Sequence, residues 1–160
     1  TPEAKPATGD FGDRPVTTRI DAKGWIGAKT ARGKAYDLAM FRLDRAASNS
    51  VAGFDTDASR FTASFENGKL AKVYFEGSSL AGNGISVKAS LPLTLAVAPK
   101  AIGADLEIKA AKPAEITFAA SAQPANVLLN GVASKAWKYD AGTRMLTVNV
   151  PEGRAHVTVR

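Results

Sequence analysis

Apolar and polar residues alternate along most of this chain with a period of two, the spacing of a strand with one buried face. The segment from Arg60 to Gly77 gives the clearest instance. Phe61, Ala63 and Phe65 alternate with Thr62, Ser64 and Glu66. Asn67-Gly68 then supplies two residues that accept positive φ, as a type I′ hairpin turn requires. The chain returns with Val73 and Phe75 on one face and Lys72 and Tyr74 on the other. Asn130-Gly131 predicts a second such hairpin.

The same reading predicts strands over 16–20, 25–29, 35–43, 59–66, 69–76, 85–89, 92–98, 104–110, 114–119, 126–129, 133–139, 144–150 and 155–160. A short helix near 43–48 is the one helical expectation. Many short strands with turn residues every 8–12 positions predict an all-β antiparallel sandwich, jelly-roll or Ig-like. Residues 1–15, with three Pro and two Gly and no periodicity, read as a linker or loose entry segment, and 16–160 as one β unit. Ser90-Leu91-Pro92 marks a possible subdivision near 90/91.

Composition narrows the chemistry. The chain has no Cys and a single His, His156, in a strand-like run. Cys nucleophiles, Cys-based zinc sites and a His-paired acid/base site within one chain are thereby nearly excluded. No apolar run reaches the roughly 18 residues of a membrane-spanning helix. The start at Thr1, without Met, leads us to expect a processed protein or a piece of a longer one. Twenty-one Lys and Arg stand against fifteen Asp and Glu, a net charge of +6 that favours anionic partners. There is no basic helix and no RNA-recognition signature, so nucleic acid is not the expected partner.

Some residues carry a resemblance. The stretch VLLNGVASKAWKYDAGTRMLTVNVPEGRAHVTVR resembles the closing β-sandwich of bacterial polysaccharide-degrading enzymes. GKAYDLAMFRLDRA followed by TDASRFTASFENGKLAKVYFEGSSL is similar to the β-rich C-terminal region of heparinase II/III-like polysaccharide lyases. The resemblance spans residues 34–160. It implies a secreted or periplasmic bacterial protein whose partners are an acidic polysaccharide and the catalytic domain of a parent enzyme, with catalysis housed elsewhere. No catalytic residue of that family has a counterpart motif here, so none is carried over.

The candidate sites follow. Residues 14–45 hold eight cations against three anions, a local excess of five. Among them Lys23, Lys29, Arg32 and Lys34 surround Trp25, whose ring would stack on a sugar while the cations bind sulfate or carboxylate groups. The alternative is a core Trp with a solvated charged edge. Trp137 and Tyr139 share a strand face and form a second aromatic pair, an exposed ledge for glycan rings or core packing. Asp55 and Asp57, and Asp10 with Asp13, are the weak candidates for a structural calcium, although neither pair has the spacing of a calcium loop. No other cofactor is expected. The resulting expectation is a non-catalytic carbohydrate-binding module for a glycosaminoglycan or uronate-rich chain. The alternative is a purely structural sandwich packed on a lyase domain.

Overall fold

The structure, a computed structural model, describes residues 14–160. The expectations placed on residues 1–13, including Asp10 and Asp13, lie outside the described residues. Fifteen strands run β1 (Val16–Ala22), β2 (Trp25–Arg32), β3 (Ala35–Arg42), β4 (Ser50–Val51), β5 (Phe54–Thr56), β6 (Arg60–Glu66), β7 (Lys69–Gly82) and β8 (Ile85–Pro99). They continue with β9 (Ala104–Ala110), β10 (Ala114–Ala119), β11 (Val127–Leu129), β12 (Val132–Ala133), β13 (Trp137–Asp140), β14 (Met145–Val150) and β15 (Gly153–Val159). All pairings are antiparallel, and there is no helix among the described residues. The all-β sandwich-like class read from the sequence is the fold.

Two long strands organise it. The first part of β7 pairs with β6 and with the end of β8, whose other edge carries β9. The last part of β7 pairs instead with β5 and with the start of β8, whose other edge carries β10. The β7–β8 ribbon is therefore shared by two layers. The long layer runs β1-β2-β3-β6-β7-β8-β9-β15-β11-β12, and the short layer adds β4, β5, β10, β14 and β13.

A bulge lets one ribbon serve both layers. Val73, Phe75 and Leu80 are all buried, yet Phe75 and Leu80 are an odd number of residues apart. The register shift between Gly77 and Ser79 inserts Ser78 and turns Leu80 back toward the core. Asp57 holds this point. Its Oδ1 accepts from the backbone N–H of Ser78 (2.9 Å) and Ser79 (2.8 Å), and its Oδ2 from the Ser78 hydroxyl. Gly77 is required because a Cβ there would lie 2.7 Å from Ala58 Cα.

The inner faces fuse into one core. Phe54 of the short layer stands edge-on to Phe61 of the long layer at 5.2 Å, and Phe118, Ile116, Leu146 and Val148 close the other end. β8 runs unbroken through Ser90, Leu91 and Pro92, where a possible subdivision was expected. Pro92, which has no N–H to give, lies between the residues that pair with β10 and those that pair with β7 and β9.

Residues 43–48 are turn and bend, not the expected helix, because this segment is pinned from below by side-chain donors (described in the next subsection). β4 and β5 escape the alternation reading. They are two and three residues long and are joined by Ala52-Gly53 (φ 51° and 80°), where alanine takes the place of the usual Asn. Trp137 and its neighbours form only a four-residue strand, separated from β12.

Asp57→Ala leaves the bulge donors unpaired and should lower stability by about 1–3 kcal/mol, roughly 3–10 °C in the midpoint for a domain of this size. Burial raises the Asp57 pKa, but the hydrogen bonds from Ser78 and Ser79 outweigh it and hold the group below its ordinary value. Its contribution is thus complete above the ordinary carboxylate range and is lost as the pH falls through the depressed folded value. Thermal melts of wild type and Asp57→Ala across an acid titration should converge at low pH. A gap that stays constant would overturn this role.

Candidate functional site

Trp25 is a core residue, 2% exposed, and offers no ring face to a sugar. It sits edge-on to Phe61 at 5.8 Å, and its Nε1 donates to Ser48 O at 2.8 Å. The Arg42 guanidinium covers the ring at 4.5 Å. That guanidinium also donates to Ala58 O through Nε (2.9 Å), to Ala47 O through Nη1 (3.1 Å), and to Thr56 O (2.7 Å) and Asn49 Oδ1 (3.2 Å) through Nη2. One cation thereby satisfies carbonyls of the whole 43–58 excursion. The planar five-donor fork of Arg allows this, and a Lys would not.

The expected basic face also comes apart. Lys23 occupies a left-handed turn position (φ 45°) at one end of the β1–β2 hairpin, about nine residues and ~30 Å along the strand from Arg32. Lys29 and Arg32 are three residues apart on a strand and so point to opposite faces. The Lys29 ammonium lies over the Tyr36 ring at 4.1 Å on the inner side, while Lys34 sits beyond β2 in the turn to β3. A local excess of charge in sequence is not a charged surface here.

Trp137 and Tyr139 are half-buried against the core. Trp137 Nε1 donates to Ser134 O at 3.0 Å, and the Tyr139 hydroxyl lies 3.5 Å from Ala120 O. Their aromatic faces pack rather than form a ledge. Asp57 spends both oxygens on the bulge, and no third acidic or imidazole side chain joins it and Asp55 among the described residues.

The structure instead assembles a surface that the linear pattern did not single out, on the outer face of the long layer. Pairing registers place Arg60, Glu76, Thr94, Lys109 and Arg154 side by side across β6, β7, β8, β9 and β15. The adjacent row carries Thr62, Tyr74, Ala96, Glu107 and His156. At about 4.8 Å per strand, the first row is ~19 Å long. Ala96 leaves a depression beside the larger neighbours, and the resulting trough holds about 490 Å³. Asn130 closes its far end. Its Oδ1 accepts from the His156 N–H at 2.8 Å, and its own N–H donates to His156 O at 2.8 Å.

The polar rows that run into the trough are preorganised. Glu76 Oε1 accepts from Arg60 Nη2 and from the Tyr74 hydroxyl at 2.9 Å. Arg60 donation is the main reason the Glu76 carboxyl stays below its ordinary pKa. Burial, then the bond to Glu76, raises the Tyr74 phenol. Lys72 reaches Glu107 at 3.3 Å. The Arg154 side chain forms no ion pair or hydrogen bond among the described residues, so its donors are open to a ligand.

Two substitutions separate the core from the edge. Trp25→Ala should cost about 3–5 kcal/mol, roughly ten degrees or more in the melting midpoint. Lys29→Ala, on an exposed side chain, should cost about 0–1 kcal/mol. Differential scanning calorimetry reads both, and a near-silent Trp25→Ala would contradict the core placement.

The chain matches no protein-family model and no curated protein, so what the trough can hold has to come from its own residues.

Proposed function

We propose that this chain is a non-catalytic carbohydrate-binding module that takes an acidic polysaccharide, glycosaminoglycan or uronate-rich, along the trough on the outer face of the long layer. The observation that carries the reading is the Arg60-Glu76-Thr94-Lys109-Arg154 row beside Tyr74, with the Arg154 guanidinium unengaged. Guanidinium and ammonium groups bind sulfate or carboxylate through charge-assisted hydrogen bonds. Carboxylates beside them accept from sugar hydroxyls. A linear glycan suits an open trough that crosses several strands.

Glu76, in the row beside the trough, favours binding over catalysis. A general acid needs a carboxyl whose pKa is raised toward neutrality. Glu76 is shifted the other way by Arg60 and stays ionised. With the resemblance described above, this fits an accessory module of an exported bacterial polysaccharide-degrading enzyme.

One observation favours a structural role as well. Phe41 is 48% exposed on the outer face, where Ile26 of β2 lies opposite it on one side, with Ala28 and Ala39 beside it, and Arg60 of β6 lies opposite on the other. An apolar patch of this kind marks a contact with another domain. The patch adjoins the Arg60 end of the row, while Lys109 and Arg154 lie at its other end.

Affinity electrophoresis should show heparin, chondroitin sulfate or polygalacturonate retarding the full chain, with neutral glucan inert. Retardation should fade with salt, since exposed charges are screened over about 8–10 Å at physiological strength. Arg154→Ala and Lys109→Ala should each weaken binding by about tenfold or more with the melting midpoint nearly unchanged. Unaltered mobility with every acidic glycan would sink the reading. Binding that survives the Arg154→Ala, Lys109→Ala double variant would move it off the trough.

A further inference from the structure

Each layer of the sandwich has two edges. Three are short: β12 has two residues, β4 two and β13 four. The fourth is β1, seven residues long, paired with β2 on one side and with no other strand among the described residues. A long edge of this kind is an open template for another strand, and proteins normally blunt it with Pro, a bulge or like charges. β1 has no Pro and no register shift along its pairing with β2. Its two charges, Arg19 and Asp21, are opposite in sign and two residues apart, on the same face.

We propose that β1 pairs antiparallel with β1 of a second copy of this chain, centred on Ile20 facing Ile20. The hydrogen-bond phase of the strand selects this register. Lys23-Gly24 (φ 45° and 87°) is a two-residue turn flanked by Ala22 and Trp25, so Ala22, Ile20, Thr18 and Val16 direct their backbone groups to β2. The N–H and C=O of Thr17, Arg19 and Asp21 therefore point to the free edge. With Ile20 opposite Ile20, the bonding pairs are Arg19 with Asp21 and Asp21 with Arg19, which makes four backbone hydrogen bonds.

Charge selects the same register. Each Arg19 then lies across from the other copy's Asp21 while remaining beside its own, with which it already forms a 2.9 Å ion pair. The four charges alternate in sign around a square. A shift to Arg19 facing Arg19 sets like charges opposite each other, which is unfavourable in a cross-strand pair. On the inner face the two Ile20 side chains meet, and Thr18 faces Ala22. The pairing is isologous: it consumes both edges and closes, so it yields a dimer and not a fibre. It does not depend on the glycan reading. In it, both outer faces lie on the same side of the joined sheet.

The test is sedimentation equilibrium of the full chain over concentrations reaching the millimolar range, with amide hydrogen exchange at both ends of that range. Wild type should dimerise with concentration, and the amides of Arg19 and Asp21 should become protected as it does. Arg19→Asp or Asp21→Arg creates two like-charge pairs and should weaken the dimer about tenfold. The double exchange Arg19→Asp, Asp21→Arg restores opposite pairs and should recover wild-type association. Both side chains are largely exposed, and circular dichroism melts verify that the variants fold. A monomer at every concentration overturns the proposal. So does a dimer indifferent to the single exchanges, a double exchange that fails to recover association, or edge amides protected equally at all concentrations, as residues 1–13 or another intramolecular cover would produce.

Discussion

The carboxylate of Asp57, on the short segment before β6, gathers the backbone N–H groups of Ser78 and Ser79 at the point where β7 leaves one layer for the other. Without that anchor the extra residue at the bulge would expose two unpaired donors. Once it is anchored, the strand can change its inward parity and still bury Val73, Phe75 and Leu80. Both layers hang from this ribbon. β5 and β10 can attach only because the halves of β7 and β8 that pair with them have turned away from β6 and β9. The same segment contributes Thr56, buried and satisfied by donation to Ser79 O at 2.6 Å, which ties β5 to the ribbon beside the bulge.

A second polar device supports the first. Arg42 lies over Trp25 and holds four acceptors of the 43–58 excursion, while Trp25 itself donates to Ser48. The excursion is irregular, and its carbonyls would otherwise compete for water at the rim of the core. Ion–dipole bonds from a half-buried guanidinium are stronger than neutral ones. At least three of the eight cations between residues 14 and 45 have partners within the fold: Arg42 in the excursion, Lys29 over Tyr36 and Arg19 with Asp21. Strands far apart in the sequence provide the cations of the trough.

The long layer then presents three distinct surfaces. Its inner face is apolar and fused with the short layer. Its outer face is polar at β6, β7, β8, β9 and β15 and apolar near Phe41. Its β1 edge is charged in alternating sign. Pleated geometry makes this separation possible: a two-residue period keeps each class of side chain on its own face, and the two-residue turns carry that order from strand to strand.

Period and turn residues by themselves determined most of the longer strands and their inward faces, because each depends only on neighbours a few positions away; β4, β5 and the change of parity in β7 were beyond them. Phe61, Ala63 and Phe65 point inward as the alternation requires, and Asn67-Gly68 and Asn130-Gly131 are left-handed turns. The exclusion of Cys chemistry was likewise fixed by composition. Residues whose role depends on a distant partner were not legible. Trp25 among cations looked like a platform, and only the arrival of Ser48, Phe61 and Arg42 makes it core. The anchoring role of Asp57 could not be read before the fold set the two amide donors of Ser78 and Ser79 against it. Lys109 and Arg154 are 45 positions apart, each an ordinary polar residue of an alternating strand. Their adjacency arises because β15 pairs with β9, and that choice is made by burial of Ala155 and Val157 against the common core, a condition on the whole chain and on no single segment of it.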